Sequence, residues 1–228
     1  MLVNMNNYNQ MKIPQSLHPA THKALALIIL LVVGPGLLNN LLYIDNTNYK
    51  AWLMYDYAFR LVQLGIVISY PPFRDVIKNA IFKVKPTLNA LLGSLFCATL
   101  VWASYQLSGL FFYDLFGADG AVFFKYPEIE HAGIKAFDLT VGLSLVAGSE
   151  EIVYRALLAA VVVRYLPGRF WLLVLPSLVF ALIHWSHGPS NVIAAFVSGI
   201  IFMTLYLRTR SLLPPMLAHY IANFIYFY

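Results

Sequence analysis

Apolar residues run along this chain in long blocks, each close to the ~20 residues a helix needs to cross a hydrocarbon core. Seven such blocks occur, at 24–44, 51–70, 88–112, 137–163, 170–186, 190–207 and 212–228. The second contains Asp56 and Arg60, four apart and so on one helix face as a pair. That pairing lets the block cross the membrane, or lie partly in its interface. The later blocks are joined by strong breakers: Pro167-Gly168, His187-Gly188-Pro189 and Pro214-Pro215. The longest connector, 113–136, carries Asp114, Asp119, Glu128 and Glu130, with a Phe123-Phe124 pair suited to an interface. No internal repeat and no soluble domain interrupts the pattern. The expectation is an all-α, polytopic transmembrane helix bundle of about seven spans. Residues 1–23 form a polar N-terminal tail, 24–136 the N-terminal spans and loops, and 137–228 a core of four spans.

Composition agrees with this. The chain is 60% hydrophobic and 11% charged, with a mean hydropathy of +0.70, whereas a soluble domain is about a quarter charged. The net charge of +5 falls in alternate loops: Lys12 and Lys23, then Arg74, Lys78, Lys83 and Lys85, then Arg164 and Arg169, then Arg208 and Arg210. The intervening loops hold Lys50, or Lys125 and Lys135 among four acids. Basic loops mark the cytoplasmic side, so the N-terminus is expected inside and the C-terminus outside. No basic patch is interleaved with aromatics on a soluble face, which argues against nucleic-acid binding. The single cysteine, Cys97, excludes an internal disulfide. The first block continues past Gly34-Pro35-Gly36 without a small-x-small cleavage site, so it reads as an uncleaved span.

Seven polar or aromatic residues in the second half then stand out. Glu150 and Glu151 are adjacent carboxylates inside an apolar block, and such groups need partners or a task. Arg155 is four residues from Glu151 and faces it on a helix, leaving Glu150 turned about 100° away and free to act as a base. Phe180 and His184 share a face by the same spacing, and so do His219 and Asn223. Each group has a plain structural alternative: ion pairs that hold helices together, or histidines and amides that bridge them. Trp185 and His187 read as interfacial, with His187 a second metal ligand as the alternative. Taken together, a glutamate, two histidines and amide donors are the equipment for activating water on an amide carbonyl.

The ordered motifs Glu-Glu-x-x-x-Arg, Phe-x-x-x-His and His-x-x-x-Asn resemble the CPBP family, also called CAAX prenyl protease type 2 or Abi proteins. The resemblance covers 137–228 and is complete at all seven positions. It implies an intramembrane endopeptidase of the glutamate type acting on a membrane-anchored protein or peptide, in CAAX-type or sortase-like C-terminal processing. By analogy Glu150 and His184 activate water, His219 and Asn223 form the oxyanion hole, and Glu151, Arg155 and Phe180 support the site. No cofactor is expected, although Glu150, His184 and His219 form an alternative zinc set. The resemblance also admits a non-catalytic scaffold or bacteriocin-immunity protein. A transporter using the acids as a proton relay is disfavoured by the lack of repeats. The implied setting is the lipid bilayer of a bacterial cytoplasmic membrane, with no oligomeric state implied. Along the spans, the reacting groups lie central or outward of centre, which predicts a water-filled cavity opening toward the outer face or laterally into the outer leaflet.

Overall fold

The computed structural model describes residues 22–43, 48–81, 87–121, 126–166 and 168–228. The polar tail before residue 22, Lys83, Lys85, the Phe123-Phe124 pair, Lys125 and Pro167 lie outside the described residues. The protein is an all-α helix bundle, with no strand among the described residues.

Helices occupy every apolar block. They are α1 (His22–Tyr43), α2 (Tyr49–Ser69), α3 (Pro71–Ile81), α4 (Leu88–Ala121), α5 (Ala132–Phe137), α6 (Leu143–Glu151), α7 (Ala159–Tyr165), α8 (Arg169–Leu182), α9 (Pro189–Thr209) and α10 (Leu213–Phe227). Two π-helical stretches, Asp138–Gly142 and Ile152–Leu158, join α5, α6 and α7 into one rod. Helix α2 starts where the Asn48 side chain accepts from the Lys50 backbone N–H at 2.9 Å, satisfying one of the orphan donors of a helix start. It ends at Tyr70, before Pro71 and Pro72, which lack the N–H that a continuing helix needs. Helix α9 begins after Gly188, whose φ of +93° suits a residue without a Cβ, and Pro189 fills its first turn.

Helix α3 was not foreseen, because the segment reads as a basic loop. It is short and amphipathic: Phe73, Val76 and Ala80 are buried, while Arg74 and Lys78 are exposed. That spacing of three and four residues is one helical face.

Three helices are long and apolar enough to cross a membrane by length and composition: Tyr49–Ser69, Leu88–Leu115 and Pro189–Thr209. Helix α2, with its charged pair, is among them. Around the bundle, large apolar side chains such as Leu61, Val62, Leu92, Phe96, Leu107 and Leu110 face outward. An apolar exterior of this kind suits lipid rather than water.

Packing brings the two halves of the chain together. Ile28 and Leu31 of α1, Val67 of α2 and Phe73 of α3 share a core with Val153, Leu157, Phe180 and Ala195. Helix α9 lies against α4 and α8, while α10 lies against α4 and α6 and α2 against α6. Helices α8 and α9 meet at Gly199, where an added Cβ would lie 2.9 Å from the Ser177 Cα. A small residue there lets the two backbones approach.

Candidate active site

The rod from α5 to α7 carries both glutamates. Each π turn holds an extra residue, which rotates the residues beyond it relative to an unbroken α-helix, and such bulges often mark functional positions. Glu150 and Glu151 end α6, between the two π stretches. Both are buried: Glu151 is 0% exposed and Glu150 7%.

Glu151 and Arg155 pair as their spacing predicts, with Arg155 Nε 3.1 Å from Glu151 Oε2. The alignment is that of an ion pair rather than a good hydrogen bond, and among the described residues Oε2 and both terminal nitrogens of Arg155 meet no hydrogen-bond partner. Aromatic faces take the place of those partners. The Arg155 guanidinium lies 4.4 Å from the Phe180 ring centroid, 5.3 Å from Phe202 and 5.8 Å from Tyr154. Cation–π attraction at such distances is worth about 2 kcal/mol when desolvated.

His219 sits between the two carboxylates. Its Nδ1 is 2.9 Å from Glu151 Oε1, and its Nε2 is 3.7 Å from Glu150 Oε2. Its ring stacks on Phe202 at 4.9 Å and meets Phe180 edge-on at 5.9 Å. Because a carboxylate only accepts, Nδ1 is the donor to Glu151. Asn223, one turn further along α10, lines the same cavity.

His184 occupies a different local structure from the one expected. Helix α8 ends at Leu182, so His184 stands in the following turn rather than inside a helix. Its Nδ1 lies 2.8 Å from the Phe180 carbonyl, and its ring packs against Phe180 at 4.9 Å. A carbonyl only accepts, so Nδ1 carries a proton and Nε2 is the basic nitrogen of the neutral ring. The orphan carbonyls of a helix end thus fix the tautomer.

Two residues have surroundings that the sequence did not show. Glu150 is not free of partners: Arg60 Nη1 from α2 donates to its Oε1 at 2.9 Å and to Ser149 Oγ at 3.1 Å. The pairing spans 90 residues of sequence, which is why adjacency in the chain does not reveal it. His187, expected at an interface from its place in the chain, is buried among its neighbours, with its Nδ1 3.1 Å from Ser186 Oγ and its ring 4.5 Å from Tyr126. Burial, and then the neighbouring His184, hold its imidazole down at about 3, so the ring is neutral near pH 7. Trp185 is partly exposed at 38%, as an interfacial residue would be.

All four residues expected to react, Glu150, His184, His219 and Asn223, line one cavity of about 140 Å³. Phe180 and His187 line it too, as do Asp56 and Arg60. Its remaining walls are largely apolar and aromatic, including Trp52, Phe59, Trp102, Tyr105 and Tyr226. Glu151 and Arg155 stand behind the cavity and act on it through His219 and the aromatic rings. The residue that sequence reasoning missed is Arg60. The available signal was a charged pair, Asp56 and Arg60, inside an apolar block.

The alternative zinc set comprises Glu150, His184 and His219. Among the described residues, no three His, Cys, Asp or Glu side chains are arranged to hold a metal ion. One oxygen of Glu150 is taken by a guanidinium, a cation that would oppose a bound metal.

With the geometry in hand, comparison with known families is informative. Residues 133–225 match the family described as Type II CAAX prenyl endopeptidase Rce1-like. This agrees with the CPBP resemblance of the three motifs, and implies a membrane protease with a protein substrate. No curated protein and no solved structure matched the chain.

The buried pair makes a direct prediction about stability. Glu151→Gln leaves the Arg155 guanidinium buried without its counter-charge, at a cost of about 3–5 kcal/mol. Reversible unfolding in detergent should register this loss. A variant as stable as wild type would show that the aromatic faces alone suffice for Arg155.

Proposed function

We propose that the protein is an intramembrane endopeptidase that hydrolyses a peptide bond in a membrane-anchored protein, without a metal. The supporting observation is one cavity that gathers a carboxylate, a tautomer-fixed imidazole and amide donors between apolar walls. In this reading a water molecule lies between Glu150 and His184. One of them takes its proton as its oxygen attacks the scissile carbonyl carbon. The carbonyl π electrons move onto oxygen, and Asn223 Nδ2–H donates to the oxyanion. His219 donates from Nε2 when it is an imidazolium, because Nδ1 is committed to Glu151. On collapse, the C–N bond breaks and the abstracted proton passes to the departing nitrogen. The products are a carboxylate and an amine.

The aromatic walls suit an apolar chain or anchor next to the scissile bond, as in CAAX-type or sortase-like C-terminal processing. A farnesylated Cys-aliphatic-aliphatic-X peptide is the probe suggested by the family match. Glu150→Gln should lower its cleavage by about 10²–10⁴-fold while leaving a folded protein. A chelator should leave the wild-type rate unchanged. Wild-type turnover by Glu150→Gln, or reversible loss on metal removal, would sink this reading.

The setting we propose is seven crossings with the N-terminus inside a bacterial cytoplasmic membrane. The loop charges support it. On that orientation Trp52, Tyr126, His187 and Phe227, all cavity-lining, lie toward the outer side, so the cavity opens outward. Lys78 and Glu130 are both exposed and belong to connectors on opposite sides. With Cys97 replaced by alanine, a membrane-impermeant thiol reagent on intact cells should label Glu130→Cys and spare Lys78→Cys. The reverse pattern would invert the topology and the direction of entry.

A further inference from the structure

The family match begins at residue 133, yet the guanidinium bonded to Glu150 comes from α2. We propose that Arg60 is a positioning residue for Glu150, aimed by Asp56 and Asn39, so that the N-terminal helices complete the active site. This rests on the hydrolytic reading above, in which Glu150 is the base.

The contacts form a chain. Asn39 Nδ2 donates to Asp56 Oδ1 at 2.9 Å. Asp56 Oδ2 accepts from Arg60 Nε at 2.8 Å. Arg60 Nη1 then donates to Glu150 Oε1 at 2.9 Å and to Ser149 Oγ at 3.1 Å. Ser149 Oγ in turn donates to the Val146 carbonyl at 3.1 Å. A guanidinium is a rigid planar fork, so anchoring it at Nε and Nη1 fixes its plane. A carboxylate is otherwise nearly free about its last torsion. Here one oxygen is pinned to Arg60, and the other is left toward His219 and the cavity.

Charge argues against a purely structural clamp. Asp56 and Arg60 already form a neutral pair on one helix face, which is enough to bury Arg60. Glu151 and Arg155 are a second neutral pair. Glu150 is the carboxylate left over, and Arg60 reaches across from α2 to hold it. A neutral residue at position 150 would spare the bundle that excess charge. The arrangement makes sense where an oriented, ionised carboxylate is the purpose.

The test uses the full-length protein in detergent, with Arg60→Gln, Arg60→Lys and Asp56→Asn. On the farnesylated peptide, Arg60→Gln should lower kcat by ~100-fold, as misplacing a reacting group does, with KM nearly unchanged. Arg60→Lys restores the charge and should recover part of kcat. Asp56→Asn keeps the guanidinium but loosens its aim, and should show a smaller loss of the same kind. It also serves if Arg60→Gln fails to fold. An independent readout needs no turnover: dicyclohexylcarbodiimide adds to carboxyl groups in apolar surroundings and is blocked where a cation holds the carboxylate. Mass spectrometry should find Glu150 protected in wild type and labelled several-fold more in Arg60→Gln. Unchanged labelling and unchanged kcat per folded molecule, with only stability lost, would make Arg60 a clamp and overturn the proposal. If wild type leaves the peptide intact while labelling behaves as expected, the hydrolytic reading falls and the hold of Arg60 on Glu150 stands.

Discussion

A set of charges inside the bundle governs this structure: Asp56, Arg60, Glu150, Glu151 and Arg155, with the His219 ring between the two glutamates. Removing one partner from a buried pair costs several kcal/mol, so the helices that supply them must arrive in register. Helix α2 supplies Asp56 and Arg60, α6 the two glutamates, the π stretch after it Arg155, and α10 His219. Phe180 of α8 and Phe202 of α9 cover the Arg155 guanidinium. In surroundings as apolar as these, hydrophobic contact alone discriminates weakly between helix arrangements. The charges provide the discrimination, and they converge at the cavity.

Local backbone irregularity then aims the side chains. Two π stretches flank the glutamates, and the second carries Arg155. Helix α8 stops before His184, and the carbonyl of Phe180 accepts from that ring. Regular helices through these residues would point Glu150 and His184 along fixed faces of their own helices. Breaking the regularity lets residues from three different helices line one wall of a cavity.

The pattern of apolar blocks made the helices legible, and four-residue spacing made the Glu151–Arg155 pair legible. Spacing also placed His219 and Asn223 on one face. What stayed hidden was of longer range. Arg60 meets Glu150 across 90 residues, and no local pattern reports such a contact. A charged pair in an apolar block, Asp56 with Arg60, looked self-sufficient. His187 sits at the end of an apolar block, and nothing local reports that the Tyr126 ring packs against it. Helix α3 was masked by its basic face, which is one side of an amphipathic helix.

A bound mimic of the tetrahedral intermediate tests the central claim most directly. The measurement is a structure of the protein with a farnesylated peptide in which a phosphinate replaces the scissile amide. One phosphinate oxygen should lie about 3 Å from Asn223 Nδ2, with the other facing Glu150 and His184 and with Arg60 still bonded to Glu150. A phosphinate coordinated to a metal ion, or bound away from Glu150, would contradict the metal-free glutamate mechanism.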